Sequence, residues 1–151
     1  MEKTQQERLK EVIHLYLGCD VTFRRKKIAG WSVAKLICVS TFGSYVIESK
    51  DKQFSIDAEE FEFKPILRSL DDMTEEEAKE FCKKEGWGEN LENLVVLDGA
   101  IEFSIKGTKQ QCVSRFTRMR PEMFAWCLSK RFDLFNLIPD GIAINAKELQ
   151  K

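Results

Sequence analysis

The most informative segment for the architecture runs from Lys64 to Glu77 and reads KPILRSLDDMTEEE. Its first half is apolar and strand-like. Pro65 places that strand at a sheet edge or at a strand start, because proline has no N–H to give to a β-ladder. Its second half begins a helix, since Thr74 and Glu77 form a T-x-x-E capping box and the acidic residues after Thr74 lie at the positive end of the helix dipole. A strand that runs directly into a capped helix predicts an α+β chain.

On the N-terminal side of this stretch, the sequence predicts one helix followed by five short strands. Thr4 and Glu7 form another capping box, and Gly18 ends the apolar helical stripe that follows it. Five strands in so short a segment are typical of a small antiparallel barrel, SH3-like or OB-like, and we expect the SH3-like form. The predicted strands cover residues 20–24, 31–40, 44–49, 53–56 and 60–70, with turns at 26–30, 42–44 and 50–52.

On the C-terminal side, the pattern predicts a helix, a β-hairpin and a further helix. The first helix begins after Thr74 and ends at Gly86. Asp98 and Gly99 form the pair that suits a type I′ turn, so they predict a hairpin between residues 95–97 and 100–105. Pro121 is typical of the first position of a helix, which we expect to end near residue 130.

The predicted architecture is therefore an N-terminal helix, a small SH3-like antiparallel β-barrel and a helix–hairpin–helix C-terminal subdomain. Residues 142–144 are expected to add a last short strand. We divide the chain into residues 1–72 and 73–151, as two parts or as one compact domain overall.

Length and composition describe an ordinary globular chain. Its 151 residues are enough to bury about 68–70% of the unfolded surface without a metal or disulfide. Twenty-four basic and 25 acidic residues give a net charge of −1, which excludes a uniformly basic surface but permits a local basic patch. No apolar run approaches the ~20 residues that span a bilayer, and the polar N-terminus lacks signal-peptide features, so we expect a cytoplasmic protein.

Few residues suit catalysis or metal binding. His14 is the only histidine, and the five cysteines form no C-x-x-C pair, so we expect reduced thiols and no zinc site. No phosphate-binding, zincin or nucleophile-elbow motif is present, and we predict no enzyme, no cofactor and no metal. A carboxylate-based enzyme stays an alternative because acidic residues cluster at 57–62 and 71–77, and it would require an acid-lined pocket. The cysteines are Cys19, Cys38, Cys82, Cys112 and Cys127.

Four consecutive cations in the first predicted turn are the strongest charge feature. Cations that hold phosphates beside rings that stack bases are what a single-stranded nucleic acid site requires. A basic turn of this length is also typical of a solvated loop, and it equally suits an acidic protein surface. The candidate binding residues are Phe23, Arg24, Arg25, Lys26, Lys27 and Trp31, together with Arg115, Arg118 and Arg120.

Three stretches together resemble a known group of sequences. They are residues 17–21 (LGCDV), residues 64–77, and residues 132–138 (FDLFNLI) with 141–145 (GIAIN). The chain resembles uncharacterised small proteins encoded by gut Bacteroidales and by their phages and prophages. In that group the second stretch reads KPILRPLSDMTEEE, from which Ser69 and Asp71 depart. The resemblance implies a bacterial or phage cytoplasmic setting and brings no known activity.

These observations lead to two expectations about function. The first is a non-enzymatic, phage- or prophage-associated protein that acts by contact with a host or phage protein, for which host takeover or anti-defence are fitting roles. The alternative is a single-stranded nucleic-acid-binding module that uses the basic turn. Binding led by phosphate contacts weakens steeply with salt, whereas an apolar protein interface does not, so salt dependence separates the two.

Overall fold

The computed structural model describes residues 2–28, 30–40, 44–57, 59–97, 99–108 and 111–150. The predicted turn residues Phe42, Gly43 and Asp98 therefore lie outside the described residues, as does Ala29 in the basic turn. The described chain is α+β, with two sheets that are mostly antiparallel, as the sequence predicts. The elements in chain order are α1 (Gln5–Val12), β1 (Asp20–Arg25), β2 (Ser32–Val39), β3 (Ser44–Ser49), β4 (Lys52–Asp57), β5 (Phe61–Leu67), α2 (Glu75–Lys84), β6 (Leu91–Leu97), β7 (Ala100–Ile105), β8 (Gln111–Arg115), α3 (Pro121–Ser129) and β9 (Ile144–Asn145).

The chain forms two compact units. The first unit combines Met1–Leu67 with Asp133–Lys151, and the second is Arg68–Phe132. These units differ from the predicted division at residue 72, because the C-terminal segment returns to the first sheet through β9.

The first unit begins with the predicted capped helix. The Glu7 N–H donates to Thr4 Oγ1 over 3.2 Å, and the Thr4 N–H donates to Glu7 Oε2 over 2.8 Å. After α1 the chain tightens into a 3₁₀ turn, Ile13–Tyr16, which buries Ile13 and Tyr16 and leaves His14 exposed.

The first sheet has the strand order β4-β3-β2-β1-β5-β9, and only the β5–β9 pair is parallel. The Tyr45 ring on β3 stacks on the Phe63 ring on β5, with centroids 4.2 Å apart, and Phe23 on β1 contacts Phe54 on β4 at 5.7 Å. Each pair spans three strand spacings, about 14 Å in a flat sheet. The sheet is therefore strongly curled, and its concave face forms the core with Val21, Ala34, Leu36, Tyr45, Ile47, Ile56 and Leu67.

The predicted SH3-like barrel is not confirmed, since no ladder among the described strands closes the sheet. β4 stands at one edge and β9 at the other, and β9 reaches β5 only at Ile66 and Leu67. A β-bulge between Leu36 and Cys38 adds to the curl, because an extra residue in one strand increases its local twist.

Buried Asp133 stabilises the turn at residues 133–138, which follows the second unit in the chain. Its Oδ1 accepts the N–H groups of Phe135 and Leu137 over 3.1 and 3.0 Å, and its Oδ2 accepts the Ile138 N–H over 2.8 Å. The Leu134 N–H donates to Tyr16 Oη over 3.2 Å. The stretch FDLFNLI is thus a turn organised around a carboxylate.

The second unit contains α2, the sheet β6-β7-β8 and α3. The predicted hairpin, β6 and β7, is part of a three-stranded sheet, because β8 pairs antiparallel with β7. Sequence patterning hides β8: its inward residues are Cys112 and Ser114, whereas the apolar Val113 is exposed. The predicted helix starts at Thr74 and Pro121 are confirmed.

Arg68 connects three parts of the second unit. Its guanidinium makes a two-pronged contact with the Glu77 carboxylate, at 2.9 Å from Nη1 to Oε2 and 2.7 Å from Nη2 to Oε1. Its Cζ lies 4.5 Å from the centroid of the Phe132 ring, and its backbone N–H donates to the Arg131 carbonyl over 2.8 Å. The Thr74 hydroxyl also donates to Glu77 Oε1 over 3.1 Å, so the Glu77 carboxylate accepts hydrogen bonds from both Arg68 and Thr74.

We expect Asp133→Ala to lower the free energy of unfolding by about 3 kcal/mol, because it removes the acceptor of three backbone N–H groups. Urea unfolding followed by tryptophan fluorescence measures the effect. The matched control is Asp71→Ala, which truncates an exposed aspartate and should change stability by less than about 0.5 kcal/mol. Equal effects of the two substitutions would show that the Asp133 turn contributes nothing specific.

We expect Glu77→Gln to cost about 1–2 kcal/mol at pH 7. Hydrogen bonding to Arg68 is the main cause that lowers the pKa of Glu77 from its ordinary 4.5. A lowered folded-state pKa gives stabilisation that is complete above about pH 4.5 and is lost as the pH falls through the folded-state value. The difference between Glu77→Gln and wild type should therefore shrink on acidification. Glu76→Gln, an exposed change in the same helical turn, controls for the helix dipole, and an equal pH profile for both variants would contradict the assignment.

Candidate binding site

Arg24, the first cation of the predicted basic turn, is engaged within the protein. Its Nε donates to Glu62 Oε2 on the neighbouring strand, and its Cζ lies 4.4 Å from the centroid of the Trp31 ring. The hydrogen bond from Arg24 lowers the pKa of Glu62, and the charges of Lys64 and Lys26 act in the same direction. One face of the Trp31 ring is thus covered by a guanidinium, although 41% of the residue is exposed.

The strand alternation separates the other predicted residues of this turn. Phe23 and Arg25 point to the concave face, where Phe23 contacts Phe61 at 6.4 Å and the Arg25 Cζ lies 5.4 Å from the same ring. Lys26 and Lys27 are exposed, and Lys27 has a φ of +68°. The two aromatic residues that the sequence places beside one basic site, Phe23 and Trp31, therefore serve different faces of the sheet.

Three predicted residues, Arg24, Lys26 and Trp31, meet at an open groove of about 400 Å³. The groove, which we call the β5 groove, follows the first half of β5 along its outer edge. Its lining is Gln5, Gln6 and Leu9 from α1, Arg24 from β1, Lys26 and Trp31 from the segment between β1 and β2, Tyr45 from β3, Phe61, Glu62, Phe63 and Lys64 from β5, and Gly141 and Ile142.

The groove exists because β9 covers only the end of β5. β9 pairs with Ile66 and Leu67. Immediately before β9, the N–H groups of Ile142 and Ala143 both donate to the Leu137 carbonyl, over 2.8 and 3.0 Å, so these two donors do not extend the β5–β9 ladder. No other strand of the described chain pairs with this edge at residues 61–64.

The backbone of β5 presents hydrogen-bonding groups to this groove. The Lys26 N–H donates to the Glu60 carbonyl over 2.8 Å, and hydrogen-bonded positions alternate along an antiparallel ladder. In the observed register the next such positions of β5 are Glu62 and Lys64. The N–H and C=O groups of Phe61 and Phe63 therefore point away from β1 and toward the groove. Pro65 is the next residue whose backbone points the same way as that of Phe61 and Phe63, and it offers no N–H donor at this edge.

Tyr45 gives the groove a buried polar group. The residue is 1% exposed, and Tyr45 Oη is buried without a hydrogen-bond partner in the described part of the chain. Burial raises the pKa of the phenol, which stays neutral and can donate a proton. Stacking on Phe63 fixes the ring. A buried hydroxyl with no partner costs about 1–3 kcal/mol, so this group favours a ligand that supplies an acceptor.

The groove carries an excess of positive charge. Its cationic side chains are Arg24, Lys26 and Lys64, and Glu62 is the single acidic residue among its described lining residues. Since Glu62 forms its ion pair with Arg24, the ammonium groups of Lys26 and Lys64 have no carboxylate within ion-pair distance among the described residues. Anionic ligands are therefore favoured over cationic ones.

The remaining predicted residues belong to the second unit. Arg120 donates to the Lys84 carbonyl, and its Nε lies 3.7 Å from Glu85 Oε2. Arg115 and Arg118 line a smaller groove of about 260 Å³ with Glu85, Trp87, Val113 and Ser114. Glu85 Oε1 is buried there without a hydrogen-bond partner in the described residues, so this groove combines both signs of charge.

Sequence reasoning missed the polar centre and half of the wall of the β5 groove. Tyr45 reads as an ordinary apolar strand residue, and Gln5 and Gln6 read as the polar face of a helix. The available signal was Pro65, which marks the edge of the sheet but does not reveal which segment stands beside it.

The five cysteines form no disulfide in the structure, and four of them are buried. Cys38 is exposed, whereas the other four are buried. Burial, with a smaller contribution from the Glu85 charge, raises the pKa of Cys82 to about 11 and that of Cys127 to about 12. No group of three or more histidine, cysteine or acidic side chains suited to a metal ion occurs in the described ranges.

We expect one fast-reacting thiol in the native protein when it is titrated with Ellman's reagent, because Cys38 is the exposed one. The other four should react only after unfolding. Cys38→Ala should remove the fast phase, while Cys112→Ala, a change at a buried thiol, should leave it in place. A fast phase of more than one thiol, or one that survives Cys38→Ala, would contradict the packing described here.

No helix among the described residues is long and apolar enough to cross a membrane. Comparisons with protein families, with curated proteins and with solved structures give no significant match to this chain.

Proposed function

We propose that this protein is a non-enzymatic binding protein that acts through protein–protein contact, and that the β5 groove is its binding site. The observation that carries the proposal is the uncovered edge of β5, where the backbone groups of Phe61 and Phe63 point into a groove. A sheet edge with free N–H and C=O groups is a template for an added strand from another chain, and natural proteins use it for peptide recognition.

The chemistry of the groove supports binding over catalysis. Glu62 is paired with Arg24, and its lowered pKa keeps it ionised, which does not suit a general acid at neutral pH. Trp31 and the Arg24 guanidinium at the rim are residue types that anchor protein interfaces.

The setting of this function follows from the resemblance to proteins of gut Bacteroidales and their phages. We place the protein in the bacterial cytoplasm, associated with a phage or prophage, with a host or phage protein as its partner. Host takeover or anti-defence would then be its role.

The SH3-like form of the first sheet stays part of the proposal. In the order β4-β3-β2-β1-β5, the strands β1 to β4 lie side by side in chain order, and β5 pairs with β1. The aromatic contacts across the concave face support a barrel-like curl.

Single-stranded nucleic acid is the second candidate, and exposed Arg25, Lys26 and Lys27 favour it. The contact between Arg24 and Trp31 opposes it, because it occupies a ring face that a base would need and ties up a cation that a phosphate would need.

A peptide-display selection on the purified protein tests the proposal. We expect enriched peptides whose binding is lost in the variant Lys26→Glu with Lys64→Glu, which reverses two charges of the groove. The matched control, Lys35→Glu with Lys52→Glu, changes two exposed lysines outside the groove lining and should bind as wild type does.

The contradicting result is specific. Labelled single-stranded DNA or RNA would bind the protein in fluorescence anisotropy, and its affinity would fall steeply between about 50 and about 200 mM salt. Its affinity would also be lost in the variant with Arg25, Lys26 and Lys27 all changed to Glu. That outcome, or enriched peptides that ignore the charge reversal at the groove, would replace the proposed function.

A further inference from the structure

We propose that the β5 groove receives an extended acidic segment of a partner protein, which adds as a strand to β5 and accepts a hydrogen bond from Tyr45. This inference rests on the proposed function and names the class of ligand. It is carried by three independent features of the groove: its backbone edge, its charge and its buried hydroxyl.

The edge sets the conformation and length of the ligand. On the side away from β1, residues 61–64 of β5 pair with no strand of the described chain, over a length of about 13 Å at the usual rise of a strand. Phe61 and Phe63 each supply one donor and one acceptor, so a ligand strand of four or five residues makes up to four backbone hydrogen bonds. Pro65 and the β9 pairing end the ladder on one side.

The charge sets the composition of the ligand. Lys26 and Lys64 lie among the groove residues with their ammonium groups outside any ion pair of the described chain, while Glu62 is occupied by Arg24. An acidic segment gains two charge contacts, whereas a basic segment meets like charges on both lysines. Charge complementarity thus selects acidic ligands and excludes basic ones.

The buried hydroxyl sets the polarity at the base of the groove. Tyr45 lies among the lining residues, and its Oη has no partner in the described structure. A ligand oxygen, from a side-chain carboxylate or a backbone carbonyl, can accept this proton, and a purely apolar side chain leaves it unpaired. Burial and stacking on Phe63 hold the hydroxyl in place before the ligand arrives.

The test uses fluorescein-labelled synthetic peptides and the full chain. The acidic probe is Gly-Thr-Glu-Val-Glu-Val-Thr-Gly, and its neutral and basic counterparts carry Gln or Lys in place of Glu. We expect the acidic probe to bind about tenfold more tightly than the neutral one at low salt and the basic probe not to bind. The variant Lys26→Glu with Lys64→Glu should reverse this order, while Lys35→Glu with Lys52→Glu should keep it.

Strand addition and the Tyr45 contact have separate readouts. N-methylation of the acidic probe at alternate backbone amides should abolish binding in the register that removes its donors to β5. Tyr45→Phe should weaken the acidic probe about fivefold and leave the melting temperature equal or higher, because the substitution removes a buried hydroxyl without a partner. A purely structural role would move stability and affinity in the same direction.

The outcomes distinguish this inference from the proposed function. If peptides selected by display bind at the groove but the acidic, neutral and basic probes bind equally, or if N-methylated probes bind as well as the parent, the inference is overturned and the proposed function stands. If no peptide binds at the groove, both fail. If the protein self-associates in sedimentation and Lys26→Glu with Lys64→Glu dissociates it, the groove holds a second copy of this chain and the separate partner is excluded.

Discussion

The stacking of Tyr45 on Phe63 is the contact on which the first unit depends. It joins strands that would be about 14 Å apart in a flat sheet, and it can form only because the sheet curls. The same contact buries Tyr45, which is one of the residues that line the groove. Curling therefore produces the core and the buried polar group of the groove together, and a flatter sheet would have neither.

The groove combines an open edge with charges that discourage indiscriminate pairing. Exposed strand edges invite association, and proteins limit this with charged side chains and proline. On β5 these are Glu62, Lys64 and Pro65. In the proposed binding mode, Lys64 on this edge and Lys26 beside it would favour an acidic segment, since the Glu62 carboxylate is already paired with Arg24. The charged side chains on β5 could therefore both limit unspecific strand pairing and select the proposed ligand.

Residues 64–77 and 132–145 have structural roles in the two units. Arg68 forms an ion pair with Glu77 and stacks over the Phe132 ring, so it connects the capped start of α2 with the end of the second unit. Asp133 gathers three backbone N–H groups into one turn. These contacts account for the residue types at those positions through folding alone, and the groove draws only Lys64, Gly141 and Ile142 from these stretches.

The order and type of most elements can be predicted from the amino-acid sequence, because capping boxes, alternation and turn residues are local signals. It predicted α1 from Thr4 and Glu7, α2 from Thr74 and α3 from Pro121. It missed β8, whose inward side chains are small. It also placed Phe23 with Arg24 at one site, although strand parity puts them on opposite faces. Three features appear only in the folded chain: the C-terminal segment returns to β5, the sheet curls without closing, and a groove lined by buried Tyr45 lies beside the uncovered edge. These features depend on pairings between residues far apart in the chain, and no local pattern specifies which segments meet.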